Sequence, residues 1–119
     1  MAGKDVVGRR GEELAAEFLG TAGYEILARN WRCAEGEIDL VAREGETTVV
    51  VEVKTRSGLA FGHPLEAITP VKLARLRRLA GAWCEAAETP VRSLRIDVIG
   101  VVAVAGRDPI IEHVVGVFR

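Results

Sequence analysis

The sequence predicts an α/β fold in which a mixed central β-sheet is flanked by helices, in the order α-β-β-β-α-β-β. Two observations predict it. Two segments carry apolar residues at helical spacing, and five other runs have the aliphatic and aromatic content of strands. A chain of 119 residues also has the size of one domain. We therefore expect residues 1–119 to form a single domain.

The first helix is predicted over residues 8–22. Its apolar side consists of Gly11, Leu14, Ala15, Phe18, Leu19 and Ala22. Gly23 follows as a C-terminal glycine and marks the end of the helix. Residues 24–32 mix aromatic and aliphatic residues with polar ones, and this predicts the first strand.

The next two strands, residues 36–43 and 47–56, form a predicted hairpin. Gly45-Glu46 has glycine first, as a two-residue type II′ loop prefers. This loop pairs Glu44 with Thr47. Counting outward along both strands from that pair, Asp39 lies opposite Glu52 and Glu37 lies opposite Lys54. Strict alternation assigns the apolar residues to the opposite face, and these are Ile38, Leu40, Ala42, Val49, Val51 and Val53.

The second helix is predicted over residues 70–87, with Thr69 as its cap and Pro70 in its first turn. Its apolar stripe consists of Leu73, Leu76, Ala80, Trp83 and Ala87. Two strands follow, over residues 94–104 and 110–118. The last is expected at a sheet edge, where it could pair with a second copy across a two-fold axis.

The hairpin supplies the candidate site. Carboxylates on directly opposed strand positions repel each other unless a positive charge neutralises them. A divalent cation would neutralise Asp39 and Glu52, and oxygen ligands select a hard ion such as Mg²⁺. Lys54 lies two residues after Glu52 on the same face, where it could reach that site or pair with Glu37. The alternative interpretation is a solvated, charged strand face.

Three features argue against a solvated face. The run VVVEVK is too apolar for a solvent-facing edge and predicts a central, covered strand. Charged groups in a covered sheet are unfavourable without compensation. Glu12, at the rim of the first helix's apolar side, offers a further acid, whereas Glu13 points away. Glu12 could equally be an acid favoured by the helix dipole.

The amino-acid composition alone does not indicate whether the protein binds nucleic acid. There are 16 basic and 17 acidic residues and a net charge of −1, so any nucleic-acid-binding surface must be local. The two cysteines lack metal-ligand spacing. The first 13 residues contain no apolar signal region and no apolar run could span a bilayer. We expect a cytoplasmic protein without membrane contact.

The motif resembles a known nuclease core. An Asp, twelve intervening residues and then Glu-Val-Lys, preceded by a helical Glu, resembles the PD-(D/E)XK superfamily, which has the restriction-endonuclease-like fold. The whole chain more closely resembles the bacterial YraN-like family of unknown function. The segments that carry this resemblance are residues 8–19, 23–32, 36–44, 49–56, 61–76 and 95–98.

The resemblance implies a role for each matching residue. Asp39, Glu52 and the carbonyl of Val53 would hold Mg²⁺ or Mn²⁺, and Lys54 would orient or deprotonate the attacking water. Glu12 matches the helical acid of several superfamily members, including Holliday-junction resolvases. Glu37 departs from the pattern, since many members carry Pro there, and this puts an unmodified two-metal mechanism in doubt.

The expected function is that of a metal-dependent DNA endonuclease, acting on branched or repair and recombination DNA. Basic residues flank the segments that lead into the site and could contact phosphates, although each could equally be ordinary surface. They are Arg9, Arg10, Arg29, Arg32, Arg56 and Lys72. The alternative, favoured by the net charge and by Glu37, is a non-catalytic module that keeps the fold and binds nucleic acid or protein.

Overall fold

The computed structural model describes residues 6–58 and 63–117. Its helices and strands follow the predicted order, with one addition, a short 3-10 helix (η1). The elements are α1 (Val6–Thr21), β1 (Glu25–Cys33), β2 (Gly36–Glu44), β3 (Thr47–Arg56), η1 (Pro64–Ala67), α2 (Pro70–Ala86), β4 (Ser93–Val102) and β5 (Ile110–Val114).

The five strands form one mixed sheet in the order β1-β2-β3-β4-β5. Strands β3 and β4 are parallel, and the other neighbouring pairs are antiparallel. The parallel pair requires a crossover connection, which η1 and α2 provide. The predicted mixed sheet is confirmed, and β3 is its central strand, as the apolar run VVVEVK predicts.

Within the described residues, one α-helix packs on each face of the sheet. On one face, α1 packs Leu14, Ala15 and Leu19 against Leu40 and Val51. On the other face, α2 packs its buried residues against Val41, Val50 and Ile96. In α2 these residues are Leu76, Leu79 and Ala80. The predicted stripe therefore lacked Leu79, which follows Leu76 at a spacing of three residues and faces the same side.

The ends of the predicted elements agree closely with the structure, apart from the last strand. Strand β5 ends at Val114, not at residue 118, which lies outside the described residues. After Val114 the backbone turns toward β4, since the Gly116 N–H donates to Asp97 Oδ1 at 3.0 Å and the Val117 N–H donates to the Ile96 carbonyl at 2.8 Å. Strand β5 lies at a sheet edge, and a homodimer formed through it stays a prediction.

No helix within residues 6–58 and 63–117 is long and apolar enough to cross a bilayer.

Candidate metal centre

The hairpin between β2 and β3 positions the candidate site. Glu44 pairs with Thr47, and the ladder continues in the predicted register as far as Leu40 and Val51. Gly45 has φ +61°, as the first residue of a two-residue hairpin loop requires. The predicted register is confirmed over this part of the hairpin.

The ladder ends before the predicted Asp39–Glu52 pair. Continuing the register would pair Val53 with Ile38, but the Val53 N–H instead donates to the Asp39 carboxylate oxygen Oδ2 at 2.8 Å. Ile38 packs in the α2-side cluster with Val41. The prediction that Ile38 shares a face with Leu40 was therefore wrong, because the strict alternation of a straight strand is broken at Asp39.

Asp39 and Glu52 nevertheless come together. Asp39 is 7% exposed, and the Glu52 side chain is 16% exposed. Burial raises the pKa of Glu52 above its usual range, and the neighbouring Asp39 carboxylate raises it further. The two acids therefore form a close, poorly solvated pair, and this arrangement disfavours the charged form of Glu52.

Lys54 partly compensates this pair. Its ammonium Nζ lies 3.4 Å from Glu52 Oε2, and its side chain is 23% exposed. Glu37, the other partner considered for Lys54, forms an ion pair with Arg32 across β1 and β2, with Nε and Oε2 3.9 Å apart. Two carboxylates and one ammonium leave the cluster with one negative charge in excess when all three groups are ionised.

Helix α1 approaches this end of the sheet closely at Gly11. A Cβ built on Gly11 would lie 1.9 Å from Thr55 Oγ1 on β3. The next residue, Glu12, is half-buried, while Glu13 is exposed, as the helical wheel predicts. Glu12 Oε1 accepts a hydrogen bond of 3.0 Å from the Asn30 amide.

Asn30 is a residue that the sequence analysis missed. It lies in β1 between Arg29, which pairs with Leu40, and Trp31, which pairs with Ile38, so it stands beside Asp39. Its φ is +50°, a left-handed conformation that asparagine tolerates better than most residues. An asparagine in a predicted strand, close to a candidate acid, is the signal that could have singled it out.

The described residues do not bring a third acidic, His or Cys side chain to Asp39 and Glu52, because no group of three such side chains able to hold a metal occurs among residues 6–58 and 63–117. Glu12 hydrogen-bonds to Asn30 and does not form such a group with the two strand carboxylates. The side chains that the structure does assemble are Asp39, Glu52 and Lys54.

The comparison with known protein families covers this whole region. The model of the "Uncharacterised protein family UPF0102" matches residues 11–101. The chain belongs to this family. UPF0102 proteins of Arthrobacter sp. (strain FB24) and Beutenbergia cavernae are each 53% identical over 117 residues, covering 98% of this chain and 99% of each relative. A UPF0102 protein of Clavibacter michiganensis is 56% identical over 108 residues, 91% of this chain and 92% of that relative. The predicted YraN-like family is thereby confirmed.

The candidate nucleic-acid-binding residues of this UPF0102 protein are spread over several surfaces. Arg9 and Arg10 are exposed on α1, and Arg32 is exposed on β1. Arg56 is half-buried at the end of β3, with Nη1 3.3 Å from the Thr55 carbonyl. Lys72, exposed in the first turn of α2, donates to the Ala67 carbonyl at 3.2 Å. Only Arg56 shares a strand face with Glu52 and Lys54.

A polar network of the UPF0102 chain lies around Asp97, which is completely buried on β4. Arg95 contacts both Asp97 oxygens, at 2.8 and 3.0 Å, and His113 Nε2 lies 2.7 Å from Oδ2. Burial alone would raise the pKa of Asp97, but hydrogen bonds from His113, Arg95 and the Gly116 N–H hold it below its usual value. Arg95 and Asp97 thus form an ion pair between two residues of one strand. His113 was not predicted to belong to this network, because Asp97, the acid that its side chain contacts, lies 16 residues away in the chain.

Proposed function

We propose that this UPF0102 protein is a divalent-metal-dependent DNA endonuclease with a restriction-endonuclease-like fold. The observation that carries the proposal is the cluster of Asp39, Glu52 and Lys54 at the point where β2 separates from the central strand β3. Hydrolysis of a phosphodiester needs an activated water, electrophilic assistance at the phosphate and stabilisation of the developing negative charge. The following residues could supply these requirements.

The donor set at the cluster fits Mg²⁺ or Mn²⁺. Mg²⁺ is commonly held by one or two carboxylates and keeps several waters, so Asp39 and Glu52 would suffice as side-chain ligands. The N–H and carbonyl of one strand residue point to the same side, and the Val53 N–H points to Asp39. The Val53 carbonyl therefore lies on the side of the carboxylates and is the third candidate donor. When bound, the ion would act as a Lewis acid and lower the pKa of a water.

Lys54 is the candidate catalytic cation. Its ammonium is within 3.4 Å of Glu52, so it lies beside the group that would hold the metal. From there it could orient the attacking water and stabilise the charge that develops on the phosphoryl oxygens. It lies at the same strand face as Arg56, which could contact a neighbouring phosphate of the substrate.

Glu12 and Asn30 are candidate positioning residues. The Glu12–Asn30 hydrogen bond connects α1 to the part of β1 that stands beside Asp39. Asn30 has a left-handed φ, and Gly11, the residue before Glu12, packs closely against β3. We infer that Glu12 acts on the site through Asn30, which differs from its predicted role as a direct ligand.

The experiment incubates the purified protein with double-stranded, single-stranded and branched DNA, in Mg²⁺, in Mn²⁺ and in EDTA. Metal-dependent cleavage that is lost in Asp39→Asn and Glu52→Gln supports the proposal. The matched controls are Asp108→Asn and Glu46→Gln, which change exposed acids outside the cluster and should cleave normally. Cleavage that persists in both cluster variants contradicts the assignment, because the activity would then come from elsewhere.

A non-catalytic module that binds nucleic acid or protein is the second candidate. The absence of a third acidic, His or Cys ligand from residues 6–58 and 63–117, together with the near-zero net charge, favours it. Calorimetric titration with Mn²⁺ separates the two candidates. Metal binding that depends on both Asp39 and Glu52 supports the nuclease, whereas DNA binding without metal binding supports the module.

A further inference from the structure

A cavity of about 500 Å³ lies next to the proposed catalytic lysine, between η1 and the face of the sheet that carries Lys54. Its size falls within the range of small-molecule sites in proteins. The polar residues and the glycine that line it are Lys54, Arg56, His63, Glu66, Gly100 and Glu112. The proposed metal site does not account for this cavity.

The floor of the cavity is a row of three residues on adjacent strands. Lys54 on β3 pairs with Gly100 on β4, and Gly100 pairs with Glu112 on β5. Neighbouring strands lie about 4.8 Å apart, so the Cα atoms of Lys54 and Glu112 are separated by about 9.6 Å. Gly100 has no side chain to fill this interval. Among the side chains of residues 6–58 and 63–117, the row therefore leaves a gap between a cation and a carboxylate.

The second row gives the floor an apolar extension and a second cation. Arg56 pairs with Val102, and Val102 pairs with Ile110, which is 55% exposed. Lys54 and Arg56 are two residues apart on one face of β3, following Glu52 on the same face. The cationic side of the cavity is thus continuous with the proposed metal site.

The other wall is held in place by His63. Its Nδ1 accepts from the Leu65 N–H at 3.2 Å, so in the neutral ring the proton is on Nε2. Nε2 lies 2.6 Å from Glu112 Oε2, and Glu66 Oε2 accepts from the His63 N–H at 3.1 Å. These contacts connect η1 to β5. They use Oε2 of Glu112, and a carboxylate has a second oxygen that can accept.

We propose that this cavity is a nucleotide subsite, which receives the unpaired nucleotide next to the phosphodiester that is cleaved. The inference rests on the proposed function. The phosphate of that nucleotide lies against Lys54 and Arg56, and its base lies flat over Gly100. Glu112 accepts a hydrogen bond from an exocyclic amino group of the base, as acidic side chains do from cytosine N4.

The subsite defines a substrate class. A base stacked and paired within a duplex cannot enter a cavity in the protein, so the nucleotide must be flipped out or already single-stranded. The preferred substrates are therefore DNAs with an unpaired nucleotide beside the cleaved bond. Cytosine is preferred to thymine at that position, because thymine carries no exocyclic amino group.

The test titrates ¹⁵N-labelled protein in EDTA with dCMP, dTMP and inorganic phosphate, and follows the backbone amides by NMR. We expect dCMP to shift the amides of Gly100, Glu112 and His63, and to bind more tightly than dTMP. Gly100→Val fills the gap and should weaken dCMP roughly tenfold, as the loss of one base contact does. Glu112→Met removes the hydrogen-bond acceptor and should abolish the preference for dCMP over dTMP, whereas Glu46→Met should leave it unchanged.

Three results would overturn the subsite. These are no dCMP-induced shift at the cavity amides, equal affinity of inorganic phosphate at the same amides, or full dCMP affinity in Gly100→Val. If Gly100→Val does not fold, an unaltered dCMP preference in Glu112→Met contradicts the proposal instead. The titration in EDTA reports binding independently of cleavage. If dCMP binds in EDTA but DNA is not cleaved in Mg²⁺ or Mn²⁺, the subsite is supported and the nuclease is contradicted. Metal-dependent cleavage without dCMP binding supports the nuclease and contradicts the subsite.

Discussion

Gly11 of α1 packs directly against Thr55 of β3, with so little space that a Cβ on Gly11 would lie 1.9 Å from the Thr55 hydroxyl oxygen and 2.8 Å from its Cβ. This contact sets the distance between α1 and the strand that carries Glu52 and Lys54. It also fixes the adjacent Glu12, which hydrogen-bonds to Asn30.

Gly11→Ala should therefore destabilise the protein by about 1–3 kcal/mol, the usual effect of overpacking a close contact. The matched control is Gly20→Ala in the same helix, where a Cβ meets nothing within 4 Å. That control should stabilise the protein by up to about 1 kcal/mol, because alanine favours helix. Urea unfolding measures both changes, and equal stabilities of the two variants would contradict the close packing.

Asp97→Asn should destabilise the protein by about 3 kcal/mol, because it removes the charge of a completely buried acid that is paired with Arg95 and His113. The control Asp108→Asn changes an exposed acid of the β4–β5 connection and should have an effect within about 0.5 kcal/mol. Urea unfolding at neutral pH measures both values. A loss in Asp97→Asn no larger than in the control would show that the network contributes nothing to stability.

The same network predicts a pH dependence. The pKa of Asp97 is lowered in the folded state from its usual 3.8, so its contribution to stability is fully present above about that pH. Below it the unfolded chain takes up the proton first, and the contribution is lost as the pH falls through the folded-state pKa. The difference in unfolding free energy between the wild type and Asp97→Asn should be constant from pH 7 to about pH 5 and shrink below about pH 4. A difference that grows on acidification would contradict this sign.

Metal binding should change the free energy of unfolding. Glu52 has a raised pKa, so its charged form is unfavourable in the metal-free protein above that pKa, and Glu52→Gln should be more stable than the wild type in EDTA at neutral pH. Mn²⁺ at about 100 times its Kd should stabilise the wild type by about 2.7 kcal/mol and leave Glu52→Gln unchanged. Thermal unfolding with and without Mn²⁺ measures both effects. Equal stabilisation of the two proteins would place the ion elsewhere.

Lys54 and Lys72 should have separable effects on DNA cleavage. Lys54 lies 3.4 Å from Glu52, so Lys54→Met should lower kcat by about 10²–10³-fold, as loss of one electrostatic contact to the transition state does. Lys72 is exposed and holds the Ala67 carbonyl. Lys72→Met should raise KM and leave kcat nearly unchanged, because a phosphate contact contributes to binding in both the ground state and the transition state. Steady-state cleavage kinetics test this, and a dominant kcat effect in Lys72→Met would reverse the assignment.

The sequence predicted those features that depend on local periodicity. The register of the hairpin followed from Gly45-Glu46, and the central position of β3 followed from its continuous apolar run. The half-buried position of Glu12 followed from the helical wheel. Each of these depends on residues close together in the chain, where the spacing of side chains is fixed by the backbone.

The features that the sequence did not predict depend on breaks in regular structure and on distant contacts. Strict alternation could not show that the ladder ends at Leu40, nor that the Asp39 side chain takes the place of a backbone acceptor for Val53. The histidines, for which the sequence offered no partner, pair with acids that the fold brings to them. His113 meets Asp97, and His63 meets Glu112 across the gap between η1 and β5.

The central claim is that Asp39 and Glu52 together hold a divalent cation. Anomalous diffraction from crystals of the wild-type protein grown in Mn²⁺ tests it most directly. The predicted result is a manganese peak between the two carboxylates, with the Val53 carbonyl and waters completing the coordination, and its absence from Asp39→Asn crystals. Wild-type crystals without a peak at this position, or a peak that persists in Asp39→Asn, would contradict the claim.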